Sequence, residues 1–249
     1  FDVYATGSYR NNTNVRLDSD IDIAAVLRES FFYQLSGSLS SAQLGISAAS
    51  YSYQDFRRDV STALRAAFGD RIKESPKAVS LRETPSRLNA DVSVFLEHRW
   101  YFINDGKSQY ITGEEMQPAP GQRIINWHQQ HYDRGVEKND ATRRRFKRAV
   151  RILKRLRNDM NHSTPSFLLE SLVYNAPNTC FNLVEGSYYE DIKATITELW
   201  NKTKADASCS GYKEVNAIKP LFSPEQTWTR QQANDFLLAA WRHVDFPSS

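Results

Sequence analysis

Short runs of alternating apolar and polar residues dominate the first half of the chain, which is the pattern of β-strands buried on one face. Residues 53–67 instead repeat apolar side chains at helical spacing, and Gly69 is placed to end that helix. Residues 31–50 are rich in Ser, Gly and Ala and predict a loop. The pattern therefore predicts a sheet covered by a helix, with strands at residues 1–5, 20–27, 77–82, 90–95, 100–103 and 110–112.

Two turns are expected between these strands. Thr84-Pro85-Ser86-Arg87 would join strands 77–82 and 90–95 as a hairpin. Asn104-Asp105-Gly106 would close the strand at 100–103, and residues 110–112 would pair back onto it.

Helical spacing dominates after Pro118, Pro120 and Gly121 interrupt the chain. The clearest apolar stripe lies within residues 141–158, and further helices are expected from Pro165, over 192–200 and over 231–244. We therefore predict an α+β protein of two domains, a strand-rich domain at residues 1–120 and a helical domain at 121–249. The stripe consists of Phe146, Ala149, Val150, Leu153 and Leu156.

Composition narrows the class of protein. The 249 residues are 40% hydrophobic, enough for a real core, and the net charge of +3 does not by itself demand a nucleic-acid partner. Two cysteines cannot build a disulfide framework, and no apolar run approaches a membrane span or a signal peptide. We expect a cytoplasmic protein without a membrane partner. Because the chain opens within a strand, we also expect an N-terminal helix to be missing from this sequence.

Residues 7–23 combine a Gly-Ser turn, a polar spacer and the alternating run Asp20-Ile21-Asp22-Ile23. Aspartates two apart on a strand point to the same face, and their repulsion is relieved by divalent cations such as Mg²⁺. Gly7 lets the backbone approach a ligand, and Ser8 offers a hydroxyl and an N–H to phosphate oxygens. A phosphate cradle followed by metal-binding carboxylates predicts nucleotidyl transfer.

The helical half offers further candidates for nucleotide contacts. Nine basic residues lie between residues 143 and 157, and most of them are expected to be solvated. Arg151 and Lys154 lie three apart and can reach one spot together, which suits a triphosphate. Ser166 follows Pro165 at a predicted helix start, where free N–H groups favour phosphate. Phe167 would either stack on a base or pack in the core.

Asn126 and the two histidines after it each have a functional interpretation and an ordinary structural one. The Asn126 amide can both donate and accept, which makes it a candidate base reader, although an ordinary surface or turn asparagine is the favoured explanation. His128 and His131 have a spacing that can bind zinc on a helix. Since no third ligand is near in sequence, we expect them to pack or to form ordinary hydrogen bonds.

The order Gly-Ser, about ten residues and two alternating aspartates resembles the active-site motif of the DNA-polymerase-β-type nucleotidyltransferases. That superfamily needs a third carboxylate on a later strand, and Asp91 begins the run at 90–95. The resemblance implies a palm domain of mixed sheet with covering helices, a helical lobe and an active site in the cleft between them. It also implies two Mg²⁺ ions, which Mn²⁺ can replace. Asp20, Asp22 and Asp91 would hold the ion that activates the attacking hydroxyl, and the first two would hold the ion at the triphosphate.

The basic helix, the short loop after it and the Pro-Ser-Phe-Leu-Leu-Glu-Ser-Leu-Val-Tyr-Asn run at 165–175 are similar to the helical lobe of cGAS/DncV-like and oligoadenylate-synthase-like enzymes. In that lobe a Lys meets the triphosphate, and a polar–aromatic pair contacts phosphate and base. By position these are Lys154, Ser166 and Phe167, where the family often has Tyr at the last position. The Cys/His insertion of the animal DNA sensor is not seen, and the chain most resembles the bacterial anti-phage (CBASS) cyclic-oligonucleotide synthases.

This resemblance implies a metal-dependent enzyme that joins nucleoside triphosphates into a cyclic di- or oligonucleotide messenger and releases pyrophosphate. We expect a monomer that needs no nucleic acid and has CBASS effector or regulatory proteins as partners. Two alternatives stay open. One is a nucleotidyltransferase that makes a linear oligonucleotide or modifies RNA, a small molecule or a protein. The other is a non-catalytic nucleic-acid-binding module built on the basic helix.

Overall fold

A computed structural model gives the structure of the protein and describes residues 1–15, 20–82 and 89–247. The chain divides into two compact units, Phe1–Arg10 with Ser19–His128 and Asn11–Asp18 with Gln129–Ser249. The division falls after His128 rather than after residue 120, because a last short strand at 124–126 still pairs with the sheet. Residues 11–15, which follow the Gly-Ser motif, belong with the helical unit.

The described strands of the first unit form one mixed sheet in the order β1-β2-β5-β4-β3, with β6 paired to β5 and β7 paired to β6. The β2–β5 pair is parallel and the other pairs are antiparallel. The sheet agrees with the predicted α+β class. Its strands are β1 Asp2–Ala5, β2 Ile21–Leu35, β3 Ile72–Glu74, β4 Val79–Leu81, β5 Ala90–Asn104, β6 Lys107–Met116 and β7 Ile124–Asn126.

The helices begin with a short one inside the Gly-Ser motif, and most of the others build the second unit. Their bounds are α1 Gly7–Asn11, α2 Tyr53–Phe68, α3 His128–Ala141, α4 Arg145–Asp159, α5 Ser166–Asn175, α6 Tyr189–Thr203, α7 Asp206–Cys209 and α8 Arg230–Val244. Within the described ranges, none of these is long and apolar enough to cross a membrane.

Strands β2 and β5 are both longer than the sequence pattern predicts. The residues at 31–35 were expected in a loop, but they continue β2 and pair with β5 after a shift in register between Leu27 and Phe31. The loop prediction for 31–35 is therefore wrong, because the polar residues at 28–30 hide a second run of β-prone aromatic residues. The strand expected at 100–103 is the far end of β5. The turn predicted at Thr84–Arg87 lies outside the described residues.

Helix α2 covers the sheet as predicted. Its first turn is closed by a capping box in which Ser52 and Asp55 exchange hydrogen bonds between side chain and backbone. At the other end Gly69 has φ +59° and donates its N–H to the Arg65 carbonyl. Tyr53 and Phe56 are buried in the core of the first unit.

The helical unit is built around the stripe predicted on α4. Phe146, Val150 and Leu153 are fully buried among side chains of α5, α6 and α8. Leu156, at the end of the stripe, is only partly buried against the same core. An apolar face of this size stabilises helices that would be marginal alone, and it fixes which side chains of α4 and α5 remain available for chemistry.

Candidate active site

Two of the three predicted carboxylates lie side by side on the sheet. Asp22 on β2 and Asp91 on β5 are directly matched residues of the parallel pair. Matched residues on adjacent strands point to the same face, and neighbouring strands lie about 4.8 Å apart. Both residues are half-buried. The hydrogen-bond ladder therefore holds these two side chains next to each other on one face.

Asp20 is not fixed in the same way. The strand begins at Ile21, whose N–H donates to the Asn89 carbonyl at 3.0 Å, and Asp20 is an exposed residue just before it. In the part of the chain that the structure describes, no group of three His, Cys, Asp or Glu side chains is close enough to hold a metal ion. Carboxylate oxygens are the donors that Mg²⁺ prefers, so the donor chemistry fits this ion. The sheet fixes only Asp22 and Asp91, because Asp20 lies outside the ladder.

Gly7 begins the short helix α1, where the sequence predicts a Gly-Ser turn. Its φ is +61°, and a Cβ at this position would lie 2.0 Å from the Asp22 carboxylate oxygen Oδ2. Thr6, just before it, donates its N–H to the Asp22 carbonyl at 2.8 Å. A glycine is therefore needed here for two reasons, the left-handed backbone and the close approach to Asp22. Ser8 follows in the first turn of α1, where backbone N–H groups lack partners within the helix.

Asn126 lies on the same face of the sheet as the carboxylates. It is matched with Glu114 on β6, and Glu114 is matched with Glu97 on β5. Glu97 is six residues after Asp91 on β5, and alternate residues of a strand share a face. The half-buried Asn126 therefore shares a face of the sheet with the carboxylates, and its role as a base reader stays a prediction.

Sequence analysis missed a polar cluster on this face around Glu114. The Tyr4 hydroxyl donates to Glu114 Oε1 at 2.7 Å, and the His128 backbone N–H donates to Oε2 at 3.3 Å. Burial opposes ionisation of Glu114, but the contacts with His128 and Tyr4 outweigh it and hold the pKa of this carboxyl below its usual range. Burial, followed by the charge of Glu114, raises the pKa of Tyr4. The sequence feature that could have indicated this cluster is an acidic residue within a β-strand.

Arg151 and Lys154 converge, as their spacing predicts, but they converge on backbone oxygens. Arg151 donates to the Asn12 carbonyl. The Lys154 ammonium donates to the Thr13 carbonyl at 3.1 Å and lies 3.4 Å from the Glu170 carboxylate. Lys154 is only 2% exposed. The structure therefore places its charge inside the helical unit, where a buried carboxylate attracts it, and its predicted contact with a triphosphate stays a prediction.

Glu170 on α5 is the centre of this network, and sequence reasoning missed it. Its Oε2 accepts a hydrogen bond from the Thr13 hydroxyl at 2.8 Å, and its Oε1 accepts one from His131 Nε2 at 2.9 Å. Burial favours the neutral acid, but His131, Lys154 and Thr13 together lower the pKa of Glu170 to about 2. The available signal was one acidic residue within an otherwise apolar helix.

Ser166 and Phe167 open α5, as predicted. The Ser166 hydroxyl accepts a hydrogen bond from the Arg157 guanidinium at 3.0 Å, and Arg157 also donates to the Thr164 carbonyl at 3.2 Å. Phe167 is 38% exposed, and its ring lies 5.5 Å from the His131 ring and 5.9 Å from the Trp228 ring. Of the two readings left open for Phe167, core packing is therefore excluded, and a partly open ring backed by aromatic neighbours remains.

A cavity of about 460 Å³ lies on the opposite face of the sheet. Its walls include Ile23 and Ala25, which lie one and three residues after Asp22 on β2. They also include Val92, which directly follows Asp91 on β5. Since successive side chains of a strand point to opposite faces, the sheet separates this cavity from Asp22 and Asp91. Its lining is mostly apolar, with Arg71 and Arg82 as the charged residues of the wall.

Comparisons with known proteins agree with this geometry. Residues 133–245 match the family model of the cGAS/DncV-like nucleotidyltransferase C-terminal helical domain. A cyclic dipyrimidine nucleotide synthase CdnE from Cecembia lonarensis is 34% identical over 98% of this chain and 84% of that protein. This chain belongs to the cGAS/DncV-like nucleotidyltransferases. The predicted family and the predicted enzyme class are both confirmed.

Two further cGAS/DncV-like nucleotidyltransferases are similar over nearly the whole chain. A protein from Legionella pneumophila, also named cyclic dipyrimidine nucleotide synthase CdnE, is 36% identical over 97% of this chain and 83% of its own length. The solved structure of the Rhodothermus marinus CdnE c-UMP-AMP synthase with Apcpp and Upnpp has a TM-score of 0.84 at 29% identity, covering 100% of this chain and 86% of that one. The likeness confirms the α+β fold with a helical C-terminal domain.

Proposed function

We propose that this nucleotidyltransferase joins nucleoside triphosphates into a cyclic di- or oligonucleotide. In each step a ribose hydroxyl attacks an α-phosphorus and the bond to the leaving pyrophosphate breaks. The last such step, the second for a dinucleotide, closes the ring. The observation that carries the proposal is the pairing of Asp22 with Asp91 beside Gly7. Paired carboxylates next to a backbone that tolerates no side chain suit a metal-assisted phosphoryl transfer better than a passive binding surface.

Two Mg²⁺ ions, held when bound by Asp20, Asp22 and Asp91, would neutralise the triphosphate and lower the pKa of the attacking hydroxyl. The chain's own part is to place the reactants. We assign phosphate contacts to the hydroxyl and N–H of Ser8 and to Ser166, whose hydroxyl is oriented by Arg157. Catalysis of this kind is mainly positioning and charge stabilisation.

For the other nucleotide-binding candidates, the contacts support different roles. Phe167 is 38% exposed, so part of its ring is accessible for stacking on a base. Arg151 and Lys154 serve the nucleotide indirectly, because both are bound to the segment Asn12–Thr13 that follows α1. Gly7 serves it by allowing the backbone at residue 7 to lie close to Asp22.

We propose a pyrimidine-containing product. The two relatives at 34% and 36% identity are both named cyclic dipyrimidine nucleotide synthases. The Asn126 amide has one donor and one acceptor side, which matches the adjacent N–H and carbonyl of a uracil edge. We further propose that the product is a messenger in anti-phage (CBASS) signalling, made in the cytoplasm by a monomer and recognised by an effector protein.

Product analysis tests the proposed function. The protein is incubated with Mg²⁺ and each labelled nucleoside triphosphate, singly and in pairs, and products are digested with phosphatase and identified by mass spectrometry. We expect a phosphatase-resistant product that contains a pyrimidine. One pyrophosphate should be released for each phosphodiester bond formed. A phosphatase-sensitive product would point to linear synthesis or to a modified acceptor. Salt-sensitive nucleic-acid binding that survives Asp22→Asn, without any product, would favour the non-catalytic module.

A further inference from the structure

Glu170 lies at a junction between two parts of the proposed nucleotide site. It is fully buried on α5, one helical turn after Ser166 and Phe167. Its two carboxylate oxygens bind different partners, Thr13 on one side and His131 on the other. A buried carboxylate is costly unless its oxygens are well satisfied, so an arrangement of this kind fixes the groups around it.

On one side, Glu170 holds the segment that follows α1. Thr13 is completely buried, and its hydroxyl donates to Glu170 Oε2 at 2.8 Å. Lys154 donates to the carbonyl of the same threonine, and Arg151 donates to the carbonyl of Asn12, where the chain bends with φ +55°. Arg151 and Lys154 of α4 and Glu170 of α5 thus fix Asn12 and Thr13. These two residues lie shortly after Ser8 along the chain.

On the other side, Glu170 holds the aromatic platform. His131 Nε2 donates to Glu170 Oε1, which sets the orientation of the imidazole whose ring packs against Phe167 at 5.5 Å. A second ring neighbour of Phe167 is Trp228, whose indole N–H donates to the Leu221 carbonyl at 2.9 Å. Phe167 therefore depends for its position on two rings that are each anchored by a hydrogen bond.

We propose that Glu170 is a positioning residue for nucleotidyl transfer, which holds the Asn12–Thr13 segment and the Phe167 platform in one arrangement. It does not touch the nucleotide. The proposal rests on the proposed function of the same site. It explains why Lys154 is buried, because the ammonium compensates Glu170 and lets both charges leave water.

The test separates positioning from stability by removing a hydroxyl rather than a charge. Thr13→Val keeps the shape of the side chain and deletes the hydrogen bond to Glu170. We expect KM for nucleoside triphosphate to rise, or kcat to fall, by about tenfold, as one lost hydrogen bond to a charged group allows. Thr13→Ser should restore the wild-type kinetics. The matched control is Thr195→Val, a fully buried threonine of α6 whose hydroxyl has no partner among the described residues.

A second variant tests the contact of Glu170 with His131. His131→Gln keeps a donor for Glu170 but removes the ring beside Phe167, so it should raise KM several-fold with little change in melting temperature. Wild-type KM and kcat in both Thr13→Val and His131→Gln would overturn the proposal, as would equal losses in Thr13→Val and Thr195→Val. If Thr13→Val does not fold, His131→Gln decides. Binding of a non-hydrolysable triphosphate, measured by calorimetry for each variant, reports positioning even if the wild type makes no cyclic product and the proposed function fails.

Discussion

Asp22 and Asp91 occupy matched positions on the parallel strands β2 and β5, so their side chains leave the same face of the sheet as nearest neighbours. Two like charges at this spacing repel each other, which costs folding free energy. The protein holds them there through the backbone hydrogen bonds of both strands. We therefore expect the pair to lower the free energy of unfolding while serving catalysis. Removing one of the two charges should then change activity and stability in opposite directions.

Asp91→Asn should abolish product formation, with a loss on the order of 1000-fold, since metal-ligand charge contributes several kcal/mol to the transition state. Stability to urea in the absence of metal should be unchanged or higher, because one of the two repelling charges is gone. Pyrophosphate release and urea unfolding measure the two effects. Asp70→Asn removes an exposed aspartate of the same unit and serves as control. Near wild-type turnover in Asp91→Asn would contradict the catalytic assignment.

Gly7→Ala should inactivate the enzyme because the new Cβ would collide with Asp22. A second glycine, Gly37, separates this collision from the cost of the left-handed backbone. Gly7 and Gly37 both have left-handed backbones, with φ +61° and +69°. A Cβ at Gly37 meets nothing within 4 Å, whereas one at Gly7 would meet Asp22 Oδ2 at 2.0 Å. Gly37→Ala should therefore cost only about 1–2 kcal/mol of stability and leave turnover intact. Gly7→Ala should cost more and lose turnover, because Asp22 must move. Equal turnover in the two variants would show that the close approach is unimportant.

The parts of the site that the sequence predicts are those encoded by local spacing. Asp22 alternates with isoleucines, and Ser166 follows a proline at a helix start, so strand and helix geometry alone place them. The spacing of Arg151 and Lys154 likewise predicts that the two side chains meet. What they meet is not predictable, because Asn12 and Thr13 are about 140 residues away in sequence.

The parts that could not be predicted depend on contacts between distant segments. Glu170 gains its role from Thr13, His131 and Lys154, and no periodicity links these positions. The extension of β2 was hidden for a different reason. The polar residues 28–30 interrupt the alternating pattern, and only the pairing with β5 restores the strand beyond them.

Phe167 should matter more for nucleotide affinity than for stability. Its ring is 38% exposed, so Phe167→Ala should cost clearly less than the about 3–5 kcal/mol typical of a buried phenylalanine. Loss of a stacking surface should weaken nucleotide binding by about 1–3 kcal/mol. Phe167→Tyr keeps the ring face and should be nearly neutral. Thermal melts and nucleotide titrations measure both quantities. A large drop in melting temperature with unchanged affinity would instead show that the ring serves packing against His131 and Trp228 and not nucleotide binding.

Lys154→Ala should destabilise the protein far more than Arg155→Ala on the same helix. Removing Lys154 leaves Glu170 buried without its cation, which typically costs about 3–5 kcal/mol. Arg155 pairs with Asp159 at the surface, with 57% of its side chain exposed, so its loss should be nearly silent. Urea unfolding measures the difference. The double variant Lys154→Met/Glu170→Gln should recover much of the stability, and equal effects of the two single variants would show that the Lys154–Glu170 contact carries little energy.

The low pKa of Glu170 predicts a specific loss of stability in acid. The carboxyl has a pKa of about 2 in the folded protein against 4.5 for an unperturbed glutamate, so the unfolded chain binds the proton more tightly. The stabilisation is therefore fully present above pH 4.5 and is lost as the pH falls from 4.5 toward 2. The pKa difference corresponds to about 3 kcal/mol in total, of which about 2 kcal/mol should be gone by about pH 3.

Urea unfolding of the wild type and of Lys154→Met/Glu170→Gln, each at about pH 6 and about pH 3, measures this contribution. Other carboxyls with lowered pKa values, such as Glu114 and Glu115, titrate in both proteins and cancel in the difference. The wild type should therefore lose about 2 kcal/mol more than the double variant between the two pH values. Parallel losses would mean that Glu170 is not held as a charged group by Thr13, His131 and Lys154, and the positioning role proposed for it would lose its electrostatic basis.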